Sequence, residues 1–397
     1  MYAAVIGASS ESIYAIQRAT QMGISVIALD GNPDAPGLQY AYKSFVVDIK
    51  NLQLVYDILD PFSPEIVIPV PIGRYLTSIG AVNDHYHLRG VTQNSAFLCT
   101  DKHLFHDVLS RRNMRNIEHI LISSGEEDVA GKIDSMRYPL VAKPRYGSGN
   151  RSVQVYQNHS DLRNHFLVKL PFDEDFIIEN YLEGVEYGVD AAMINGIFHL
   201  VLLREKRLTP FPYRQCVRYY SIKRNDANTM LFKYVGEAVN NAGQILGFDD
   251  CLLHADILYN GKEVFIIEMA ARPSGHHLHE LFTPMATGVD MIAEYLKFSL
   301  PQLKQTYSFT PAYTDCLLIQ YFDFPEGRIA KIPDKEYIYG NYPVKAYECH
   351  LKNGMVLQQA ADDSLMRRGY YVIEGKDRND LDMICDEIRN LYTLEKI

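Results

Sequence analysis

Apolar and polar positions along the first hundred residues alternate between strand-like and helix-like stretches. The apolar run "YAAVIGA" gives way to the amphipathic "ESIYAIQRATQMG" and then to a second apolar run, "SVIALD". "FVVDI", a helical stretch around Leu52 to Leu59, and "EIVIPV" continue the alternation. Strands alternating with crossover helices are the mark of a parallel sheet, so this region is expected to form a Rossmann-type unit.

The pattern changes at "TDKHLFHDVLSRRN", a helix followed by short β-rich segments: "YPLVAK", "SVQVY", "DFIIENYL", "YGVDAAMI" and "GIFHLVLLR". These predict an α+β module with antiparallel strands. Beyond a helix around Leu231 to Leu246, "CLLHADILY" and "EVFIIEMAA" read as a hairpin around the Asn260-Gly261 turn. The chain after about Ser308 alternates strands such as "CLLIQYF" and "GYYVIEG" with a final helix whose expected N-cap is Asn379. The fold class is thus mixed α/β and α+β, with expected domains at 1–99, 100–305 and 306–397.

Composition narrows the classes. The 397 residues are 47% hydrophobic and 22% charged, as in an ordinary globular protein. A net charge of -10, with no basic block beyond runs such as "REKR", argues against nucleic acid and against an anionic membrane surface. "MYAAVIGASS" has no basic leader region and no apolar run is long enough for a membrane span, so a cytoplasmic location is expected. Six scattered cysteines without a CxxC pair fit reduced thiols rather than a disulfide framework or a zinc site.

Candidate chemistry begins at "YPLVAKPRYGSGNRSV". Lys143 closes a strand ahead of Gly147, Ser148 and Gly149, the reverse of the Walker A order, in which lysine follows the glycines. A strand-terminal ammonium can reach phosphates while a glycine loop folds its N–H groups over them; the plain alternative is a surface hairpin. Downstream, "FIIENYLEGVEYGVDA" offers main-chain polar groups to an adenine edge, and Glu186 is placed to accept ribose hydroxyls. Asp256 and Glu268 lie twelve residues apart across the hairpin, a spacing that can oppose them on one sheet face around a cation such as Mg²⁺. "GASSES", Gly7 to Ser12, sits at a strand-to-helix turn suited to anions but lacks the dinucleotide-binding glycine spacing.

The order Lys102, Lys143, glycine loop, Glu179 to Leu182, Glu186, Asp256, Glu268 and Arg272 resembles the ATP-grasp superfamily over roughly residues 1 to 305. The resemblance implies an N-terminal pre-ATP-grasp domain, two α+β lobes with ATP between them, and a C-terminal α+β lobe. It implies that Lys102, Lys143 and the Gly147-Ser148-Gly149 loop hold phosphates. Glu179, Asn180, Tyr181 and Leu182 would hold adenine, Glu186 ribose, and Asp256 and Glu268 Mg²⁺. Arg272 matches the arginine that faces the transferred phosphoryl group, and Lys206, in "LLREKRLTPFPY", matches a cation near the γ-phosphate. Ala270 stands where many members have a metal-binding asparagine, and "EMAAR" is similar to some L-amino-acid ligases.

The implied activity is an ATP-dependent carboxylate-amine ligase with a small carboxylate and a small amine as substrates, an amino acid on at least one side, and by family analogy a homodimer. Two other readings stay open: a bicarbonate-using carboxylating synthetase, and a protein of another class, either a nucleotide-binding protein without ligase activity or an oxidoreductase using the N-terminal Rossmann-like unit. Within "GHHLHE", His276, His277, His279 and Glu280 are open to three readings: a transition-metal site, an acceptor-pocket lining, or a helix cap. Arg74 and Arg218 are candidates to grip a substrate carboxylate, or members of a solvated face.

Overall fold

The computed structural model describes the chain apart from residues 116, 127, 148–151, 171, 211–213, 359–362 and 397. In chain order it runs β1 (Tyr2–Ile6), α1 (Ile13–Gln21), β2 (Ser25–Asp30), β3 (Lys43–Val46), α2 (Leu52–Leu59), β4 (Ile66–Val67), α3 (Leu76–Tyr86), α4 (Gln93–Thr100) and α5 (Lys102–Arg111). Next come β5 (His119–Ile122), α6 (Val129–Ile133), β6 (Leu140–Pro144), β7 (Gln154–Tyr156), α7 (His159–His165), β8 (Phe176–Asn180), β9 (Val185–Ile194), β10 (Ile197–Leu208) and β11 (Cys216–Ser221). Then follow α8 (Thr229–Ile245), β12 (Cys251–Tyr259), β13 (Val264–Ala270), α9 (Thr283–Thr287), α10 (Met291–Ser299) and β14 (Leu317–Tyr321). The remainder is β15 (Gly327–Lys331), α11 (Lys335–Asn341), β16 (Val344–Cys349), β17 (Val356–Leu357), β18 (Gly369–Glu374), α12 (Arg378–Asn390) and β19 (Thr393–Glu395).

The described residues group into two compact units. The first holds Met1–Asn116, Gly188–Leu203 and Asp226–Tyr313. Its N-terminal sheet is parallel in the order β3-β2-β1-β4. Ala3, Ala4, Val5 and Ile6 on β1 are all fully buried, as a parallel strand covered on both faces requires. The Rossmann-type expectation is met, with β4 cut short: Pro69 and Pro71 have no N–H to give, so after Ile68 donates to Ala4 the ladder stops. Within the same unit, β13, β12, β9 and β10 lie side by side.

The second unit holds Ile117–Tyr187, Arg204–Asn225 and Thr314–Ile397. It contains an antiparallel sheet in the order β5-β8-β6-β7, cored by Ile122, Leu140, Phe176 and Ile178. A second antiparallel array runs from the end of β10 through β11, β14, β18 and β16. Helix α12 packs Leu381, Cys385 and Ile388 into the core of that array. Its N-cap is Asp377, whose carboxylate accepts from Asp380 N–H, rather than Asn379, which lies inside the first turn. Both residues are good caps, and the helix starts at the earlier one.

Candidate functional site

In the second unit, Lys143 on β6 reaches across to β8. Its Nζ lies 2.7 Å from Oε1 of Glu179, and both side chains are buried. Lys143 pairs with Ile177 in register, so Glu179, two residues on, is a diagonal neighbour on the same face. An ammonium has three N–H donors, so the bond to Glu179 does not by itself preclude a bond to phosphate. The N–H groups of Asn180 and Tyr181 donate to Glu118 and Pro139 carbonyls, so those two are not spare donors for an adenine edge. Gly147 sits at φ +143°, the conformation the loop reading asks of a glycine, while Ser148 and Gly149 lie outside the described residues.

Tyr181 and Glu186 are joined by a residue the sequence reading passed over. Arg214 Nη2 lies 3.1 Å from Glu186 Oε1, and its guanidinium stands 5.7 Å from the centre of the Tyr181 ring. Burial pushes the Tyr181 hydroxyl above its ordinary pKa while Arg214 pulls it down. Arg214 follows the quoted "LLREKRLTPFPY" directly, but nothing in its spacing marks it as the link between two nucleotide candidates. Lys206 sits opposite Tyr219 in the β10–β11 ladder, with Nζ 6.0 Å from the ring centre. Arg204, the first residue of the "REKR" run, is fully buried beside the same ring.

In the first unit, Asp101 caps α5 by accepting from His103 and Leu104 N–H, which fixes Lys102 as the first residue of that helix. A cation is disfavoured there by the helix dipole, so helix formation does not explain the choice of lysine.

The metal candidates come from the β12–β13 hairpin. Near its turn Tyr259 pairs with Val264 and Ile257 with Ile266, a register that would set Ile267 opposite Asp256. A bulge at Ile267 shifts the ladder by one residue and brings Glu268 opposite Asp256 and Ala270 opposite His254. His254, Asp256, Glu268 and Ala270 therefore share one face. The Asp256 side chain is 17% exposed and Glu268 is half-buried. Two opposed carboxylates repel, and together they form the hard oxygen donor set that suits Mg²⁺. Beside them, His254 Nε2 is 3.3 Å from Asp256 Oδ1 and Nδ1 is 3.6 Å from Oδ1 of the fully buried Asp190. Thr283 donates to Asp190 Oδ2 at 2.5 Å.

Arg272 follows this face. Its Nε donates to Ile72 O at 2.9 Å and Nη1 to Pro273 O at 2.7 Å, using two of five N–H donors. Four residues after Arg272, His276 donates its N–H to Glu11 of the "GASSES" turn at 2.6 Å. A Cβ on Gly275 would crowd the Glu11 carboxylate, which would have to shift on the His276 N–H to make room. Three loops far apart in sequence thus converge beside Arg272. Two of them, the "GASSES" turn and the loop at Ile72, border a cavity of about 460 Å³ at the carboxyl ends of the parallel strands, lined by Gly7, Asp30, Asp48, Lys50, Ile72 and Tyr75. That is where open α/β sheets present ligands.

The histidine cluster divides among separate tasks. His277, at φ +61°, caps the π-type turn Leu278–Phe282 and pairs with Glu280 at 2.6 Å. His279 is buried against Ser274 O, and burial lowers its pKa. Among the described residues these groups do not converge closely enough to share an ion. Arg218 is neither exposed nor poised for a ligand: it is buried, hydrogen-bonded to Gln320, Tyr220, Asp382 and Cys385. Arg74 is exposed on the loop before α3. All six cysteines are free thiols, and among the described residues no helix is long and apolar enough to cross a membrane.

No family model matches the chain. A D-alanine--D-alanine ligase B from Clostridium perfringens is 30% identical over 121 residues, 30% of this chain and 39% of that protein. The chain spans less than two thirds of the length of the curated relatives it matches. An L-amino acid ligase from Bacillus licheniformis superposes with a TM-score of 0.80 at 15% identity, covering 100% of this chain and 98% of that one. An N5-carboxyaminoimidazole ribonucleotide synthetase from Thermotoga maritima gives 0.72 at 15% identity, covering 100% and 99%. The full-length superpositions show that this chain has the ATP-grasp fold expected from its sequence, and in sequence it is similar to D-alanine--D-alanine ligases over part of their length.

Proposed function

We propose that the chain is an ATP-dependent ligase that joins a small carboxylic acid to a small amine, with an amino acid on at least one side. The observation that carries this reading is the hairpin face on which Asp256 opposes Glu268, with Arg272 four residues later oriented by the Ile72 and Pro273 carbonyls. In this reading domains 1–99, 100–305 and 306–397 divide the labour, the middle one holding ATP.

Asp256 and Glu268 would hold Mg²⁺, which neutralises phosphate charge during phosphoryl transfer. Lys102, Lys143 and Lys206 supply positive charge to the phosphates, and Arg214 keeps Glu186 and Tyr181 in place for the nucleoside. The substrate carboxylate attacks the γ-phosphorus of ATP and ADP leaves; the amine then displaces phosphate from the acyl-phosphate. Arg272 offers a permanent charge and a bidentate fork to the moving phosphoryl group. No protein nucleophile is needed, and positioning with charge neutralisation does the catalysis.

The likeness to an L-amino acid ligase supports amino-acid substrates; the likeness to a carboxyaminoimidazole synthetase favours a second reading, in which bicarbonate is the carboxylate. One experiment separates them: phosphate release from Mg-ATP over pairs of amino acids and small acids, with and without bicarbonate, and products weighed by mass spectrometry. Release that needs an acid and an amine, with a product one water lighter than their sum, is the expected result. Release with bicarbonate alone selects the second reading, and no release in any mixture rejects both.

A further inference from the structure

We infer that His254 is a positioning residue for the Asp256 carboxylate, anchored from behind by Asp190 and Thr283. The inference rests on the metal role proposed for Asp256 and Glu268, and adds to it the group that holds Asp256 in place.

The geometry is a chain of contacts on one face. Thr283 Oγ1 bonds Asp190 Oδ2 at 2.5 Å, the His254 ring lies between Asp190 and Asp256 at 3.6 and 3.3 Å, and Asp256 opposes Glu268. Asp190 is fully buried, and a buried carboxylate keeps its place only when hydrogen-bonded or paired. Thr283 serves that need by donating to Asp190, and the His254 ring packs beside Asp190 with Nδ1 and faces Asp256 with Nε2. The ladder also explains how the ring has room. His254 pairs directly with Ala270, whose methyl group leaves the neighbouring space to the imidazole. A larger side chain at 270 would contest that space, so Ala270 and His254 form one device: the small residue admits the ring, and the ring steadies the carboxylate.

Such outer partners set a metal ligand's orientation, and losing one costs affinity for the ion. The test is binding of Mn²⁺ to the intact, ADP-saturated protein, read as the free Mn²⁺ signal by electron paramagnetic resonance, with no turnover required. His254→Leu is expected to weaken Mn²⁺ by about tenfold. His254→Gln keeps an N–H near the Nε2 position and is expected to stay within about threefold of wild type, as an orienting polar contact requires. Equal losses in both variants would point to packing and overturn the inference, as would wild-type binding by His254→Leu. If Asp256→Asn and Glu268→Gln lose Mn²⁺ while His254→Leu keeps it, the inference alone falls. If those two also bind as wild type, the metal reading falls with it. Should His254→Leu not fold, Asp190→Asn, which preserves shape, decides: weakened Mn²⁺ supports the chain of contacts and unchanged affinity overturns it.

Discussion

Lys143 and Glu179 are locked together across neighbouring strands, Nζ to Oε1 at 2.7 Å, with both side chains under 10% exposed. The residue proposed to meet phosphate is therefore also half of a buried ion pair, and removing either half strands the other's charge at a cost of about 3–5 kcal/mol. Lys143→Met and Glu179→Gln are each expected to destabilise the nucleotide-free protein by that order. The double variant should be markedly less destabilised than their sum in denaturant titrations. Because it leaves neither charge stranded, it reads the ligand role of the Lys143–Glu179 pair as a unit. Its ATP affinity should fall by about 1.5–3 kcal/mol, the worth of a charge-assisted hydrogen bond. Wild-type affinity in the double variant would remove Lys143 from the phosphate site.

Glu268 offers the opposite signature. Directly opposed like charges destabilise an antiparallel pair, so Glu268→Gln should leave the metal-free protein as stable as wild type, or more stable by about 0.2–1 kcal/mol. The same change should abolish the added thermal stability conferred by Mg²⁺ with ADP, and Mg²⁺-dependent ATP turnover with it. Differential scanning fluorimetry with and without Mg-ADP reads both. A full Mg-ADP shift in the variant would take Glu268 out of the metal site.

Arg218 and Arg272 separate a structural arginine from a site arginine. Arg218 is 5% exposed and bonded to Asp382 and Gln320, so Arg218→Leu should lower stability by about 3–5 kcal/mol. Arg272→Leu, half-buried and held by two backbone carbonyls, should leave stability nearly unchanged while removing turnover. Denaturation midpoints and phosphate release on both variants test this; a stable Arg218→Leu that has lost substrate affinity would reverse the assignment.

Those two arginines also mark how far the sequence could be read. The parallel N-terminal sheet was legible because near-continuous apolar strands and amphipathic helices are local patterns, and β1 is buried as such a run requires. The opposition of Asp256 and Glu268 was legible from spacing across a short hairpin, although the bulge at Ile267 that achieves it was not. Arg218 was misjudged because its partners Gln320 and Asp382 lie 102 and 164 residues away, beyond any periodicity. Arg214 was passed over for a similar reason: Glu186 is 28 residues upstream, and only the folding of β9 and β11 brings them together. Prolines 69 and 71 shortened a strand whose apolar content was read correctly.

His279 ties acid stability to the loop after Arg272. It is 1% exposed and its Nδ1 lies 2.5 Å from Ser274 O; a carbonyl only accepts, so Nδ1 carries the proton. Burial lowers its pKa below the ordinary 6.5, so the folded protein keeps the ring neutral where the unfolded chain would charge it. The sign follows: the stabilisation is complete above pH 6.5 and is lost as pH falls from there toward the depressed folded value, because the unfolded state binds the extra proton. For one such group the slope approaches about 1.4 kcal/mol per pH unit. His279→Asn keeps a donor for the Ser274 carbonyl but cannot titrate. It is expected to be less stable than wild type at pH 7.5 through lost packing, yet to lose less further stability on going to pH 5.5. Urea unfolding of both proteins at the two pH values measures the difference in slope, from which carboxylates common to both cancel. Equal slopes would mean that the folded protein takes up the proton over the same pH range as the unfolded chain, and would break the link between acid and the Ser274 loop that follows Arg272.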